Sequence, residues 1–238
     1  MDMDVTEPAL KILLVEDESK IAEFVIEGLK NARYQVEHVT DGVNGLKHIF
    51  KNNYDLVLLD IMLPKLNGLE LLQQLRQDGN TTPVIILSAK VELTDRLHGF
   101  ELGADDYMPK PFFVEELIAK MKVILGRQKS NLPAQTLQTS HLRLDLVSRK
   151  AQWFDMEAVL SQREFTLLQY LMQTPGHIYS RQQILKNVWD INFDPETNVV
   201  DVCVQRIKRK LSRGNSDHQT PIESVRGVGY RVKANAAL

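Results

Sequence analysis

Residues 12–15, 56–59, 84–87 and 107–108 are short apolar runs, and the segments between them place apolar side chains at helical spacing. Strand runs alternating with helical patterns predict βαβ units that close into a parallel sheet. Helices are predicted over residues 19–31, 42–51, 68–78, 93–102 and 114–127. Asp17 and Ser19 stand at N-cap positions for the first, and Gly103 stands where the fourth should stop. The expected class for residues 10–127 is α/β: a five-stranded, doubly wound parallel sheet with helices on both faces.

The pattern then changes. Residues 128–139 are polar, without a clear period, and contain Pro133, so they read as a linker. Beyond it Leu142, Leu144 and Leu146 alternate with Arg143, Asp145 and Val147, an antiparallel strand signal that continues into residues 151–154. Helical patterns follow at 162–173, 181–189 and 197–211. Ser161 with Glu164 makes a capping box for the first, Pro175-Gly176 ends it, and Ser180 caps the second. A strand at 222–225, the turn Gly227-Val228-Gly229 and a strand at 230–232 read as a hairpin. Residues 140–234 are thus expected to form a second, α+β domain.

Charge divides the chain at the same place. Residues 1–128 carry 14 Lys and Arg against 21 Asp and Glu, and the remainder 15 against 10, within an overall formal charge of −2. An acidic half joined to a basic half suits a regulatory domain attached to one that meets a polyanion. The single cysteine, Cys203, excludes an intrachain disulfide and a multi-cysteine metal site, and points to a reducing compartment. No apolar run approaches the roughly 20 residues needed to span a bilayer, and the polar, acidic N-terminus is unlike a signal peptide. A cytoplasmic protein without membrane partners is expected.

If the apolar runs are parallel strands, Glu16 and Asp17, Asp60, Ser88 and Lys110 each lie just past a carboxyl end, the edge where open α/β sheets bind ligands. Taken singly, each also fits a bland role: a helix or loop cap, a strand-end hydroxyl, a solvated ammonium. Together they suit phosphorylation of an aspartate. Glu16 and Asp17 offer oxygens to Mg²⁺, a hard cation satisfied by a few carboxylates, and Asp60 completes the cluster as nucleophile. Lys110 and Ser88 can bond the phosphoryl oxygens.

Glu16-Asp17-Glu18, the run Leu59-Asp60-Ile61-Met62-Leu63-Pro64, Ser88-Ala89, the run Gly103-Ala104-Asp105-Asp106-Tyr107, and Lys110-Pro111-Phe112 resemble the receiver domain of bacterial two-component response regulators, a flavodoxin-like fold. The second half resembles the winged helix-turn-helix effector domain of the OmpR/PhoB subfamily, through Leu160-Ser161 to Leu168, Val200-Asp201-Val202 and Val225-Arg226-Gly227 to Tyr230-Arg231. The resemblance implies phosphotransfer from a histidine kinase to Asp60, with Mg²⁺ near Glu16, Asp17, Asp60 and the Met62 carbonyl, and a cis peptide before Pro111. It implies that Ser88 and Tyr107 form a switch pair, Ser88 moving toward the phosphate and Tyr107 following inward. It also implies a homodimer on phosphorylation, through Arg96, Glu101, Asp106, Glu116 and Lys120. Lys120 stands where relatives often carry Arg, which forfeits bidentate pairing.

The helix predicted at 197–211 can be read without the resemblance. Val200, Val204, Ile207 and Leu211 form one apolar stripe, and Asn198, Val202, Gln205, Arg206 and Arg209 lie on the opposite face. Such a helix suits the major groove of double-stranded DNA, where Arg reads guanine, Gln reads adenine and an apolar side chain meets a thymine methyl. A solvated charged face is the plainer alternative. By resemblance, Val202 and Arg206 contact bases, Gln205 replaces a position often basic in relatives, Arg226 enters the minor groove and Ser224 meets a phosphate. The acidic stretch at Asp190, Asp194 and Glu196 can touch RNA polymerase in this family, or be an ordinary solvated loop.

The reading that follows is a DNA-binding transcriptional response regulator, not an enzyme, that binds repeated promoter sites. Its rivals are a phosphate sink whose second half only docks proteins, and a DNA binder whose phosphorylation site is vestigial.

Overall fold

The computed structural model describes residues 9–89, 92–125, 136–139, 141–194, 197–212 and 220–234. The chain divides into two compact units, Met1–Leu125 and Gly126–Leu238. Among the described residues no helix is long and apolar enough to cross a membrane.

The first unit runs β1 (Lys11–Val15), α1 (Ser19–Asn31), β2 (Gln35–Val39), α2 (Gly42–Lys51), β3 (Leu56–Asp60), α3 (Gly68–Gln77), β4 (Val84–Ser88), α4 (Leu93–Leu102), β5 (Asp106–Pro109) and α5 (Val114–Leu125). All five strands are parallel, in the order β2-β1-β3-β4-β5. β3 and β4 are buried along their whole length, which is why they read as unbroken apolar runs in place of an alternating pattern. Ile12, Leu14, Leu58 and Ile85 pack with Ala22, Val25 and Leu29 of α1 and with Leu117 and Met121 of α5. The register sets Val15 beside Leu59, Asp60 beside Leu87 and Ser88 beside Pro109, so the strands finish level at one edge.

Helix boundaries agree with the sequence pattern to within a residue or two. The cap position of α1 is Glu18, in extended conformation and without a side-chain capping bond; Asp17 and Ser19, expected there, flank it. Gly103 ends α4 with φ 104°, the left-handed turn glycine tolerates. The last two residues expected in α5 lie outside the described residues.

The second unit holds β6 (Thr136–Gln138), β7 (Leu142–Asp145), β8 (Lys150–Trp153), β9 (Met156–Val159), α6 (Gln162–Leu171), β10 (Tyr179–Ser180), α7 (Arg181–Trp189), α8 (Val199–Lys210), β11 (Ile222–Val225) and β12 (Gly229–Val232). β6 to β9 form one antiparallel sheet, and β10-β12-β11 form another. Three expectations need correction. Residues 136–138, assigned to the linker, are the edge strand β6, while 128–135 lie outside the described residues. The continuous signal from 142 to 154 is two strands, split by a turn in which Asp145 Oδ1 accepts from the Val147 and Ser148 amides. α6 ends at Leu171, before Pro175-Gly176. Both expected caps are present: Glu164 accepts from the Ser161 amide at 2.8 Å, and Ser180 Oγ accepts from the Gln183 amide at 3.2 Å.

The carboxyl end of β3 depends on a close approach at Gly68, the first residue of α3. A Cβ there would lie 2.0 Å from the Asp60 carbonyl oxygen, well inside contact distance. Gly68→Ala is therefore expected to destabilise the first unit by about 1–3 kcal/mol, read as a lower urea midpoint at unchanged m-value.

Candidate functional site

The topology brings the five expected side chains to one edge. β1 delivers Glu16 and Asp17, β3 ends at Asp60, β4 ends at Ser88, and β5 runs into Lys110, which a cis peptide joins to Pro111. Carboxylate oxygens of Glu16, Asp17 and Asp60 lie within 4.8 Å of one another. The Lys110 ammonium donates to both Glu16 oxygens, at 2.8 and 3.0 Å, and stands 3.2 Å from Asp60 Oδ2. Asp60 Oδ1 accepts from the Ile61 amide at 2.7 Å, and the Lys110 amide donates to the Ser88 carbonyl at 2.7 Å. Glu16, Asp60 and Ser88 are buried, whereas Asp17 is exposed. Met62 lies two residues past Asp60 with an exposed side chain.

Three carboxylates thus face one ammonium. Burial pushes the Glu16 carboxyl above its usual range, overcoming the pull of Lys110, and the neighbouring Asp60 adds to the rise. Burial alone would lower Lys110, but its bonds to Glu16 and Asp60 outweigh that and hold it above its ordinary value. The cluster therefore has a surplus of hard anionic oxygen, and the exposed Asp17 opens it to water, a donor set that fits a hard divalent cation.

In the second unit the inward stripe of α8 is as expected: Val200, Val204, Ile207 and Leu211 are fully buried. Gln205 and Arg209 are exposed, Val202 and Arg206 half-buried, and Asn198 is the exposed residue before the helix. The hairpin carries exposed Arg226 and Val228 across its glycine turn. Ser224 is exposed but engaged, since buried Lys208 donates to its hydroxyl at 3.1 Å. Asp201, near the start of α8, accepts from the Tyr230 hydroxyl of β12 and from Arg181 of α7.

Residues 12–122 match the response regulator receiver domain family, and residues 155–232 match the family described as transcriptional regulatory protein, C terminal. The transcriptional regulatory protein CusR of Escherichia coli (strain K12) is 38% identical over 224 residues, 94% of this chain and 98% of CusR. The response regulator ArlR of Staphylococcus aureus (strain Mu50) is 39% identical over 223 residues, 94% of this chain and 99% of ArlR. A solved structure of a RitR mutant superposes with a TM-score of 0.63 at 28% identity, covering 95% of this chain and all of that one. The chain belongs to the OmpR/PhoB-type response regulators. It is a two-component response regulator with a DNA-binding domain.

Within this response regulator three of the residues implied for a dimer, Asp106, Lys120 and Glu101, have neighbours inside one chain, while Arg96 is half-buried. Lys120 donates to Asp106 at 3.0 Å, and His98 stands 3.8 Å from Glu101. Glu116 is exposed. Tyr107 is buried, at 2% exposure. In the acidic loop Asp190 caps α7 with φ 58°, Asp194 pairs with Arg181 at 3.1 Å, and Glu196 lies outside the described residues.

Several polar contacts around the sites escape sequence reasoning. Lys208 had a signal: it falls four residues after Val204, on the edge of the apolar stripe, where a lysine needs a buried partner. His38, which donates from Nε2 to the Glu16 carbonyl at 2.8 Å, and the Asp41–Lys65 pair had none, because their partners are remote in sequence.

Removing the Lys110 ammonium leaves two buried carboxylates facing each other. Lys110→Ala is expected to cost about 3–5 kcal/mol of receiver stability at neutral pH. The sign of its pH dependence follows from Glu16: a carboxyl whose folded value is raised costs stability once ionised, and losing Lys110 raises it further. The deficit in urea unfolding should therefore shrink as pH falls through that raised range and grow as pH rises through it.

Proposed function

We propose that this response regulator is switched by phosphorylation of Asp60, which promotes receiver pairing and binding to repeated DNA sites that control transcription. The supporting observation is the buried Asp60 carboxylate with Lys110 3.2 Å away, in an acidic cluster open to water at Asp17. In the transfer, an Asp60 oxygen forms a bond to phosphorus as the bond from phosphorus to the donor imidazole nitrogen of a histidine kinase breaks, and that nitrogen keeps the electron pair. Lys110 and the Ser88 hydroxyl bond the phosphoryl oxygens. Glu16, Asp17, Asp60 and the Met62 carbonyl would hold Mg²⁺, which offsets the repulsion between the anionic donor and the carboxylate.

The new charge draws Ser88 and Lys110 and so biases a two-state equilibrium to which Tyr107 is coupled. Receiver pairing through Arg96, Glu101, Asp106, Glu116 and Lys120 then requires the internal Asp106–Lys120 pair to be exchanged for pairs across the two subunits. The receiver is assigned to residues 10–127 and the effector to 136–234, the expected start at 140 being moved back to include β6, which pairs with β7. α8 enters the major groove with Asn198, Val202, Gln205, Arg206 and Arg209 facing the bases and backbone, and Arg226 reaches the adjacent minor groove. Ser224, held by Lys208, positions the hairpin as well as meeting a phosphate. The loop after α7 is assigned to RNA polymerase, and the compartment to the cytoplasm.

Asp60→Asn is expected to abolish base-labile labelling by a phosphorylated kinase or acetyl phosphate; labelling at the parental rate would reject Asp60 as acceptor. Arg206→Ala is expected to weaken binding to a cognate site by about 1–3 kcal/mol, with a smaller change on unrelated DNA. Equal affinity of parent and variant in a fluorescence anisotropy titration would remove α8 as the reader.

A further inference from the structure

The loop from Ile61 to Asn67 carries the Met62 carbonyl from the end of β3 to the start of α3, and it is tied sideways to the corner between β2 and α2. The Gly42 amide donates to the Pro64 carbonyl at 3.3 Å, and the Lys65 ammonium donates to Asp41 Oδ2 at 2.7 Å. Lys65 holds φ 67°, a left-handed backbone that favours glycine. The Lys65 side chain makes an ion pair that a glycine at this position would lack. The partner is a buried one: the Asp41 side chain is 5% exposed, although that of Lys65 is 61% exposed.

Asp41 divides its two oxygens between two tasks. Oδ1 accepts from the Asn44 amide at 2.8 Å and caps α2, while Oδ2 takes Lys65 and the Asn44 side-chain amide. Lys65 is the foremost cause holding the Asp41 carboxyl below its usual range. Met62 lies between two anchors, Asp60 on β3 and the Pro64–Lys65 tether on α2. The tether therefore limits where the Met62 carbonyl can point.

We infer that Lys65 and Asp41 are positioning residues for the divalent-cation site: their ion pair fixes the loop after the phosphoacceptor so that the Met62 carbonyl faces the Glu16–Asp17–Asp60 oxygens. This rests on the phosphorylation reading above. Neither residue belongs to the Glu16–Asp17–Asp60 cluster itself. Their contribution is to add a charged side-chain tie to a loop whose other ties are backbone hydrogen bonds, from the Leu63 and Gly68 amides to the Ile61 carbonyl and from the Gly42 amide to the Pro64 carbonyl, and so to preorganise a ligand as outer partners of metal ligands commonly do.

The test uses Mg²⁺ itself and the full-length, unphosphorylated protein. Lys65→Gly keeps the left-handed backbone and removes the ammonium; Asp41→Asn keeps an N-cap acceptor and removes the charge. Each is expected to weaken Mg²⁺ binding measured by isothermal calorimetry by about tenfold, and to raise the Mg²⁺ concentration that half-saturates acetyl phosphate labelling of Asp60 to match. The double variant is expected to lose no more than either single one, since both break the same tie. Lys65→Arg should recover most of the affinity; Lys65→Gly is expected to unfold at a lower temperature than the parent, since buried Asp41 loses its charged partner, so Mg²⁺ binding is measured where circular dichroism shows both proteins folded. Parental Mg²⁺ affinity in Lys65→Gly, or additive losses in the double variant, would overturn the inference while leaving Asp60 as acceptor. A parent protein that binds no Mg²⁺ and takes no label would instead overturn the phosphorylation reading, and this inference with it.

Discussion

Lys110 places a single positive charge between the buried carboxylates of Glu16 and Asp60, 94 residues along the chain from the first of them. Burying either carboxylate without that partner would be costly, because ionised groups lose their hydration in an apolar interior. The rest of the receiver can be understood as what brings the three side chains together. The strands must be parallel and level, so that side chains from β1, β3 and the end of β5 meet at one edge. α3 must start hard against β3, which only a residue without a Cβ permits. The balance stays acidic even so, with Glu16, Asp17 and Asp60 set against one ammonium.

The DNA-binding half solves a different problem with similar means. α8 buries one stripe among the other elements and leaves polar side chains on the far side, so its packing alone fixes which residues face outward. Polar ties then fix its ends. Asp201 binds Arg181 and Tyr230 near the start, while Lys208 and Lys210 reach Ser224 and Glu164 near the finish. Glu164 also closes the cap of α6, so one buried carboxylate joins two helices. Cys203, buried beside these contacts with its thiol pushed far up by burial, packs as a small apolar residue without thiolate chemistry.

The receiver was legible because β1, β3 and β4 are buried on both faces and its helices are amphipathic, so composition and period speak directly; β2, which has no buried residue, left no apolar run. The five site residues were legible for the same reason: each closely follows a strand end. β6, β9 and β10 were not, since they are two to four residues long and are defined by the partner they pair with more than by their own side chains. Ser224 was read as free for a phosphate because nothing near it in sequence announces Lys208, which arrives from sixteen residues away. Asp41 and Lys65 illustrate the general limit. A polar pair spanning two loops leaves no periodicity in the chain, and it becomes visible only when the loops are placed side by side.

The bonds of Asp201 and Lys208 to Tyr230 and Ser224 join α8 to both strands of the glycine-turn hairpin. Helix and hairpin therefore form a caliper of fixed opening. On the docking proposed above, one jaw would enter the major groove and the other the neighbouring minor groove, and neither could adjust without breaking a hydrogen bond. Docked in that way, such a tool would gauge the separation of the two grooves as well as the bases in one of them. DNA segments with the same contacted bases but a different local twist or minor-groove width would be told apart by fit, through base pairs the protein never touches.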